Sequence, residues 1–402
     1  MFRVLAGAGF ILTAFFFIPL EMFDLREMRM QTAITCSIIL ALLVLYTSGF
    51  KRVRNKYVLF LMLSLLLSTL LSPEANLDIE HCNLYKFWSW QPLLTMGVFF
   101  LLYCAVSSHP MNYKDVRCLL NVMVWCGFLM AIYVMIQMAG CDQFFKATAG
   151  DNGAMAGFLG HPTHVAPFIG MLLPLALYLK RYLKAFLMMI AVLIARSSVA
   201  DIAVLCSLVV YFGLKNKHIF LYTFFFALMY FSIFTVVNLN RQKTDAYFDS
   251  KPAIQWVKDI FLFEDHNRFN QWKQIAKDIV NPISEKAEQK FPLTGRGVGS
   301  FRFIYHAQHE NNYKQAHNDP LEFTYQTGFI GLAFFILSIW YSIKRWWGKN
   351  EYKDAIIASL SCIFIASCAS FVLQIGTISF YTVFLAGLLD NDIKQPIHIN
   401  GG

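Results

Sequence analysis

Long apolar runs alternate with short polar, often basic, interruptions along most of this chain. Runs suited to membrane crossing fall near 4–20, 31–49, 57–71, 90–106, 118–139, 163–179, 185–195, 199–214, 219–239, 329–343, 355–375 and 378–390. Only helices and closed barrels satisfy their backbone polar groups inside lipid, and a spanning helix takes roughly 20 apolar residues. The pattern therefore predicts an all-α polytopic membrane protein with about twelve transmembrane helices. Residues 1–239 carry the earlier spans, 240–328 form one large polar loop, and 329–402 carry the last spans and a short tail, all within a single membrane domain.

Two of these segments depart from the simple rhythm. Positions 185–214 must hold two crossings in less than the roughly 40 residues that two full spans need. The turn Arg196-Ser197-Ser198 is then expected partly within the outer leaflet, with Asp201 just beyond it. An ionisable residue at that depth marks a cavity-facing site, unless Arg196 and Asp201 pair or reach the surface. In the large loop, Phe269, Trp272, Ile275, Ala276 and Ile279 recur at helical spacing until Asn281-Pro282 ends the helix. Ile254, Val257, Ile260 and Phe261 repeat the same rhythm and predict a second amphipathic helix on the membrane surface.

The loop closes with two chemically suggestive stretches. Thr294-Gly295-Arg296-Gly297-Val298-Gly299-Ser300-Phe301 lacks the strand–turn–helix setting of a nucleotide loop and predicts a tight turn that lets backbone approach closely. Ala316-His317-Asn318-Asp319-Pro320-Leu321-Glu322 predicts a helix start: Asp319 as N-cap, Pro320 at the first helical position, Glu322 as the capping partner. That helix is expected to continue through Phe329 to Ile343 as a span, which puts His317 at the membrane surface beside a positive helix end.

Composition agrees: 57% hydrophobic and 15% charged residues exclude an ordinary soluble domain. The net charge of +9 would suit nucleic acid, but Lys51 to Lys56, Lys180-Arg181, Lys215/Lys217 and Lys344-Arg345 fall in alternate short loops. Such bias sets orientation, so the basic charge predicts topology rather than a nucleic-acid partner. Both termini are expected in the cytoplasm, with 240–328 on the opposite face. No small-residue cleavage site follows Pro19-Leu20-Glu21, so the first apolar run reads as a retained span. Most of the nine cysteines lie in apolar runs as packing residues; Cys82 and Cys141 fall in outer loops, as a disulfide or as two thiols.

Within this frame the candidate chemistry is specific. His317 can act as a general base near an anion such as a pyrophosphate, which a helix N-terminus attracts, or be a loop histidine beside a coincidental cap. Arg268, four residues before Trp272, can clamp phosphate oxygens bidentately, or be a solvated surface charge. Arg296 and Arg302 flank the glycine turn with the same two readings. Gly160-His161-Pro162-Thr163-His164 opens a span on the outer face, lining the same cavity or simply capping a helix. His306, His309 and Glu310 have helical spacing, but too few further ligands accompany them to predict a metal site. No Walker motif, zinc-protease motif or serine nucleophile elbow is present, which weakens ATP-driven transport and proteolysis.

The late motifs, in this order before a late span, resemble the O-antigen ligase and O-antigen polymerase superfamily of bacterial envelope glycosyltransferases. The residues concerned are Arg268-Phe269-Asn270-Gln271-Trp272, Phe291 to Phe301, Ala316 to Glu322 and Gly328-Phe329-Ile330-Gly331-Leu332, with weaker matches at Gly160-His161-Pro162 and Ala195-Arg196-Ser197-Ser198. The similarity covers about 160 to 335. It implies a GT-C-like membrane enzyme in the bacterial cytoplasmic membrane with a periplasmic site, using an undecaprenyl-pyrophosphate-linked glycan and needing neither metal nor cofactor. By that resemblance His317 activates the acceptor hydroxyl, while Arg196 and Arg268 bind the donor pyrophosphate. Arg296, Arg302, His161 and Asn318 are further candidate substrate contacts. Two departures stand out: Pro320 occupies a place often taken by a bulky residue, and Ala195 stands where serine usually precedes the arginine, with Ser197 as the nearest substitute.

Ligation to lipid A–core is the favoured expectation; polymerisation of repeat units onto a growing glycan uses the same donor, and transfer to protein is less favoured. A transporter or flippase for lipid-linked sugars, with Arg196 and Asp201 along its path, is the competing class. It predicts a symmetric repeat and ionisable residues through the membrane depth, neither of which the sequence displays.

Overall fold

The computed structural model describes residues 1–15, 25–49, 53–72, 82–142, 157–195, 197–215, 266–280, 292–301, 315–347 and 350–393. These residues form α-helices and two short 3₁₀ turns, with no β-strand among them. In chain order the helices are α1 (Phe2–Phe15), α2 (Leu25–Ser48), α3 (Lys56–Leu70), α4 (Cys82–Ser108), α5 (Tyr113–Met138) and α6 (Pro162–Tyr178). There follow α7 (Tyr182–Ala195), α8 (Ser198–Lys215), α9 (His266–Val280), α10 (Asp319–Trp346), α11 (Glu351–Ser367) and α12 (Gly376–Asp390). Among the described residues, three helical stretches are long and apolar enough to cross a membrane: Met28–Ser48, Tyr113–Met138 and Asp319–Trp346; several other apolar helices are shorter.

The packing follows from how far around each helix the apolar residues extend. In α6, Val165 to Ala176 are buried on every side, the signature of a central helix. It is surrounded by α5, α7, α8 and α11. A second group of neighbours, α1, α2 and α4, surrounds α12, and α3 pairs with α10. Outer helices instead display apolar side chains: Leu59, Leu63 and Leu70 on α3 and Leu183 and Phe186 on α7 are exposed. Such a surface suits contact with lipid tails and is unusual in a soluble monomer.

One end of the bundle is tied by a buried polar network. Asn55 caps α3 and its Nδ2 donates to Ser338 O (2.9 Å) and Ser342 Oγ (3.0 Å) on α10. Asp390 at the end of α12 accepts from Ser342 Oγ (2.9 Å) and from Tyr103 on α4. Lys353 Nζ donates to Leu389 O (2.9 Å) and Asn391 O (2.7 Å), satisfying carbonyls at the C-terminal end of α12.

Two expectations change. The apolar run at 355–375 is not one helix: α11 ends at Ser367, and a 3₁₀ turn, Val372–Gln374, precedes α12. The reason is polar: this connection supplies hydrogen bonds to the start of α10. Cys82 begins α4 rather than lying in a loop, and Cys141 is an exposed free thiol. The span expected at 219–239, the segment 254–261 and the set His306, His309 and Glu310 lie outside the described residues.

Candidate functional site

The cap of α10 is Asn318, not Asp319. Asn318 is extended (φ −157°, ψ 95°), and its Oδ1 accepts from Leu321 N at 3.0 Å. Asp319 turns inward: its carboxylate accepts from Leu373 N (2.9 Å) and Gln374 Nε2 (3.3 Å), and Gln374 Oε1 accepts from Gln315 Nε2 (3.1 Å). Glu322 reaches back to accept from Ala316 N (3.0 Å) and also takes Gln326 Nε2 (3.3 Å). Both carboxylates are buried and act as struts.

Between these struts His317 is held with φ 51°, in the left-handed region that only a few per cent of non-glycine residues adopt. The conformation is over-determined on both sides. Trp272 Nε1 donates to Ala316 O (2.8 Å) and Gln271 Nε2 to Gln315 O (3.3 Å), pinning the preceding backbone to α9; Asn318 begins the helix after it. Strain of this kind, about 1–3 kcal/mol, persists only where the surroundings enforce it, and it concentrates at functional sites.

The His317 ring meets Phe371 edge-on at 4.9 Å between centroids. Phe371 in turn meets His164 at 5.1 Å, and His164 lies 5.2 Å from His161. Two histidines thus flank Phe371, and His161 stands behind the second. His161 is exposed and caps α6, its Nδ1 accepting from Thr163 N (3.2 Å), while His164 is buried. Sequence reading found the histidines but missed Phe371, because an apolar residue in an apolar run carries no signal of its own.

The glycine turn has a definite partner. Helix α10 breaks at Gly328 (φ 68°, ψ −173°). In an unbroken helix Phe329 N and Ile330 N would bond Tyr325 O and Gln326 O. Instead they donate to Pro292 O (2.8 Å) and Leu293 O (3.1 Å), while Arg296 N (3.2 Å) and Gly297 N (2.9 Å) donate to Tyr325 O and Gln326 O. The turn substitutes for the helix's own ladder across the break. Helix α3 and the residues just after it back the turn: Gly297 N donates to Ser68 Oγ (3.1 Å), Val298 N to Thr69 Oγ1 (3.2 Å), and Ser72 Oγ, beyond the helix end, to Arg296 O (2.7 Å). Irregular backbone in a spanning helix is tolerated where protein satisfies it in this way.

The predicted arginines divide accordingly. Arg296 is buried with its guanidinium 5.1 Å from the Tyr325 ring, itself edge-on to Phe301 at 5.4 Å. Ile275 and Ile279 of α9 pack into the same cluster with Phe301, Ala316 and Tyr325. Arg268 is half-buried on α9, one turn before Trp272 and on the same side of the helix, the side bonded to the chain before His317. Arg196 and Arg302 lie outside the described residues; beside the former, Ser197 Oγ accepts from Ala200 N (3.4 Å) and opens α8.

One electrostatic expectation is revised. The first turn of α10 offers an anion few free amides: Pro320 has none, Leu321 N is taken by Asn318 Oδ1, and Glu322 N by Asn318 O (3.0 Å). The axial dipole remains, but two buried carboxylates stand beside it. No protein-family model matches the chain, and no curated protein matches it.

Proposed function

We propose that this chain is a membrane glycosyltransferase of the O-antigen ligase type, moving a glycan from undecaprenyl pyrophosphate to an acceptor hydroxyl, with lipid A–core as the favoured acceptor. The observation that carries the reading is His317: a strained, multiply braced imidazole at the start of a broken apolar helix, beside an arginine-bearing helix. A purely structural loop has no need of that bracing. The reading includes about twelve crossings in a GT-C-like arrangement, both termini in the cytoplasm and the site at the periplasmic face.

In this reading His317 takes the acceptor proton as the hydroxyl oxygen bonds to the anomeric carbon. The bond from that carbon to the pyrophosphate oxygen breaks, and its electron pair leaves with the lipid pyrophosphate. Arg268 and Arg196 stabilise the charge that develops there, so the step needs no metal or cofactor. Asn318, Asp319 and Glu322 position the helix start and touch no reacting atom.

The test is a deletion strain complemented with wild-type chain or His317→Asn. Asparagine tolerates the left-handed backbone and removes the imidazole, so insertion is preserved while transfer is lost. Loss of long-chain lipopolysaccharide with accumulation of lipid-linked polymer is expected. Core carrying a single repeat would mean polymerisation instead, and normal lipopolysaccharide with His317→Asn would sink the assignment.

A further inference from the structure

Three cations are buried among the described residues: Arg29, Arg296 and Lys353. Lys353 donates to two carbonyls and Arg296 lies over Tyr325. Arg29 is different. It is 2% exposed, and among the described residues Nε, Nη1 and Nη2 all lack a hydrogen-bond partner. A guanidinium carries five N–H donors and stays charged, so burying it unpaired opposes folding unless something anionic completes the site. In a membrane protein such a residue marks a ligand or a water-filled cavity.

Its position links it to the His317 end of the bundle. Arg29 lies in the first turns of α2, within the stretch Met28–Ser48 that is apolar enough to cross a membrane. Its backbone packs against Gly376: a β-carbon there would lie 2.6 Å from Arg29 O and 2.6 Å from Met30 Cα. Gly376 opens α12, two residues after Gln374, whose amide holds Asp319 beside His317. The cap residue of α12, Ile375, makes no side-chain cap bond, and Thr377 Oγ1 donates to Thr13 O (2.6 Å), bringing α1 to the same place. The start of α2 thus packs at Gly376, next to the segment that bonds Asp319.

We infer that Arg29 is an anion-binding residue that takes the phosphate group of a membrane lipid next to the His317 site. Phosphate suits a buried guanidinium because its oxygens match the fork bidentately. A lipid is the source because the residue lies at the mouth of an apolar helix, where headgroups reside. The ligand is a polyprenyl pyrophosphate or an anionic phospholipid, and the chemistry recognised is the same. The inference stands on the burial of Arg29 and does not rest on glycan transfer, so failure of the His317→Asn test leaves it intact.

The experiment is native mass spectrometry of the full chain in detergent, with undecaprenyl pyrophosphate, undecaprenol and phosphatidylglycerol as probes. Wild type is expected to bind at least one phosphorylated lipid about tenfold more tightly than the alcohol. Arg29→Gln loses that preference, and Arg29→Lys, a point charge without the fork, keeps part of it. Because Arg196 and Arg268 are proposed to hold pyrophosphate themselves, the part of the preference that Arg29→Gln removes identifies the ligand: a polyprenyl carrier if it is for the pyrophosphate, a bilayer lipid if it is for phosphatidylglycerol. Removing an unpaired charge is not expected to unfold the chain, and a thermal melt checks this. Equal binding of phosphorylated lipid and alcohol by wild type overturns the inference without reference to any variant. So does unchanged preference in Arg29→Gln.

Discussion

Gly295 and Gly328 meet backbone to backbone, each in a left-handed conformation, with φ of 74° and 68°. A β-carbon on Gly328 would lie 2.5 Å from Gly295 N, and one on Gly295 would overlap Gly328 N. Neither position has room for a side chain, and neither conformation favours one. The contact joins the loop preceding the site to the break in the helix that follows it.

Alanine at either glycine should therefore cost more than backbone strain alone, on the order of 3 kcal/mol or above, and should abolish transfer. Gly49 is the control: its φ is 62°, but among the described residues nothing lies within 4 Å of an added β-carbon. Gly49→Ala should cost about 1 kcal/mol. Thermal unfolding of the three variants in detergent measures the difference, and equal costs would show that the close approach contributes nothing.

Glu322 gives a second comparison. Glu322→Ala strips Ala316 N of its acceptor and should destabilise by about 1–3 kcal/mol while displacing His317. Glu322→Gln keeps an oxygen for that N–H and should retain most of the transfer activity. Parallel melts and transfer assays decide this; if the glutamine variant is stable yet inactive, Glu322 takes part in proton transfer rather than bracing.

Phe371 is predicted to orient the imidazole it touches. Phe371→Leu preserves bulk but removes edge contacts worth about 0.5–1.5 kcal/mol each to His317 and His164. Transfer at saturating donor should fall roughly tenfold, while donor binding changes little. Unaltered turnover would reduce Phe371 to packing.

Much of the helical layout was legible in the sequence, because segment hydropathy is local. Runs at 31–49, 118–139 and 199–214 correspond to α2, α5 and α8 within a few residues. What failed was non-local. Asn318 and Asp319 are both good caps, and only the amides of Leu373 and Gln374, more than 50 positions away, draw Asp319 off the helix axis. The glycine turn announced a close approach but not its partner, since Gly328 and α3 are distant in sequence. Arg29 drew no attention because a charge at the head of an apolar run ordinarily reads as a solvated flank; its burial appears only in the packed structure.

The bonds between the glycine turn and α3 also fix when the site can come into being. They join residues 224 to 229 positions apart, and the turn is completed only by carbonyls and amides of α10. A nascent chain halted before α10 can insert its earlier helices, yet the turn has nothing to close upon. The turn therefore closes late in synthesis, once residues 325–330, in about the last fifth of the polypeptide, have been made.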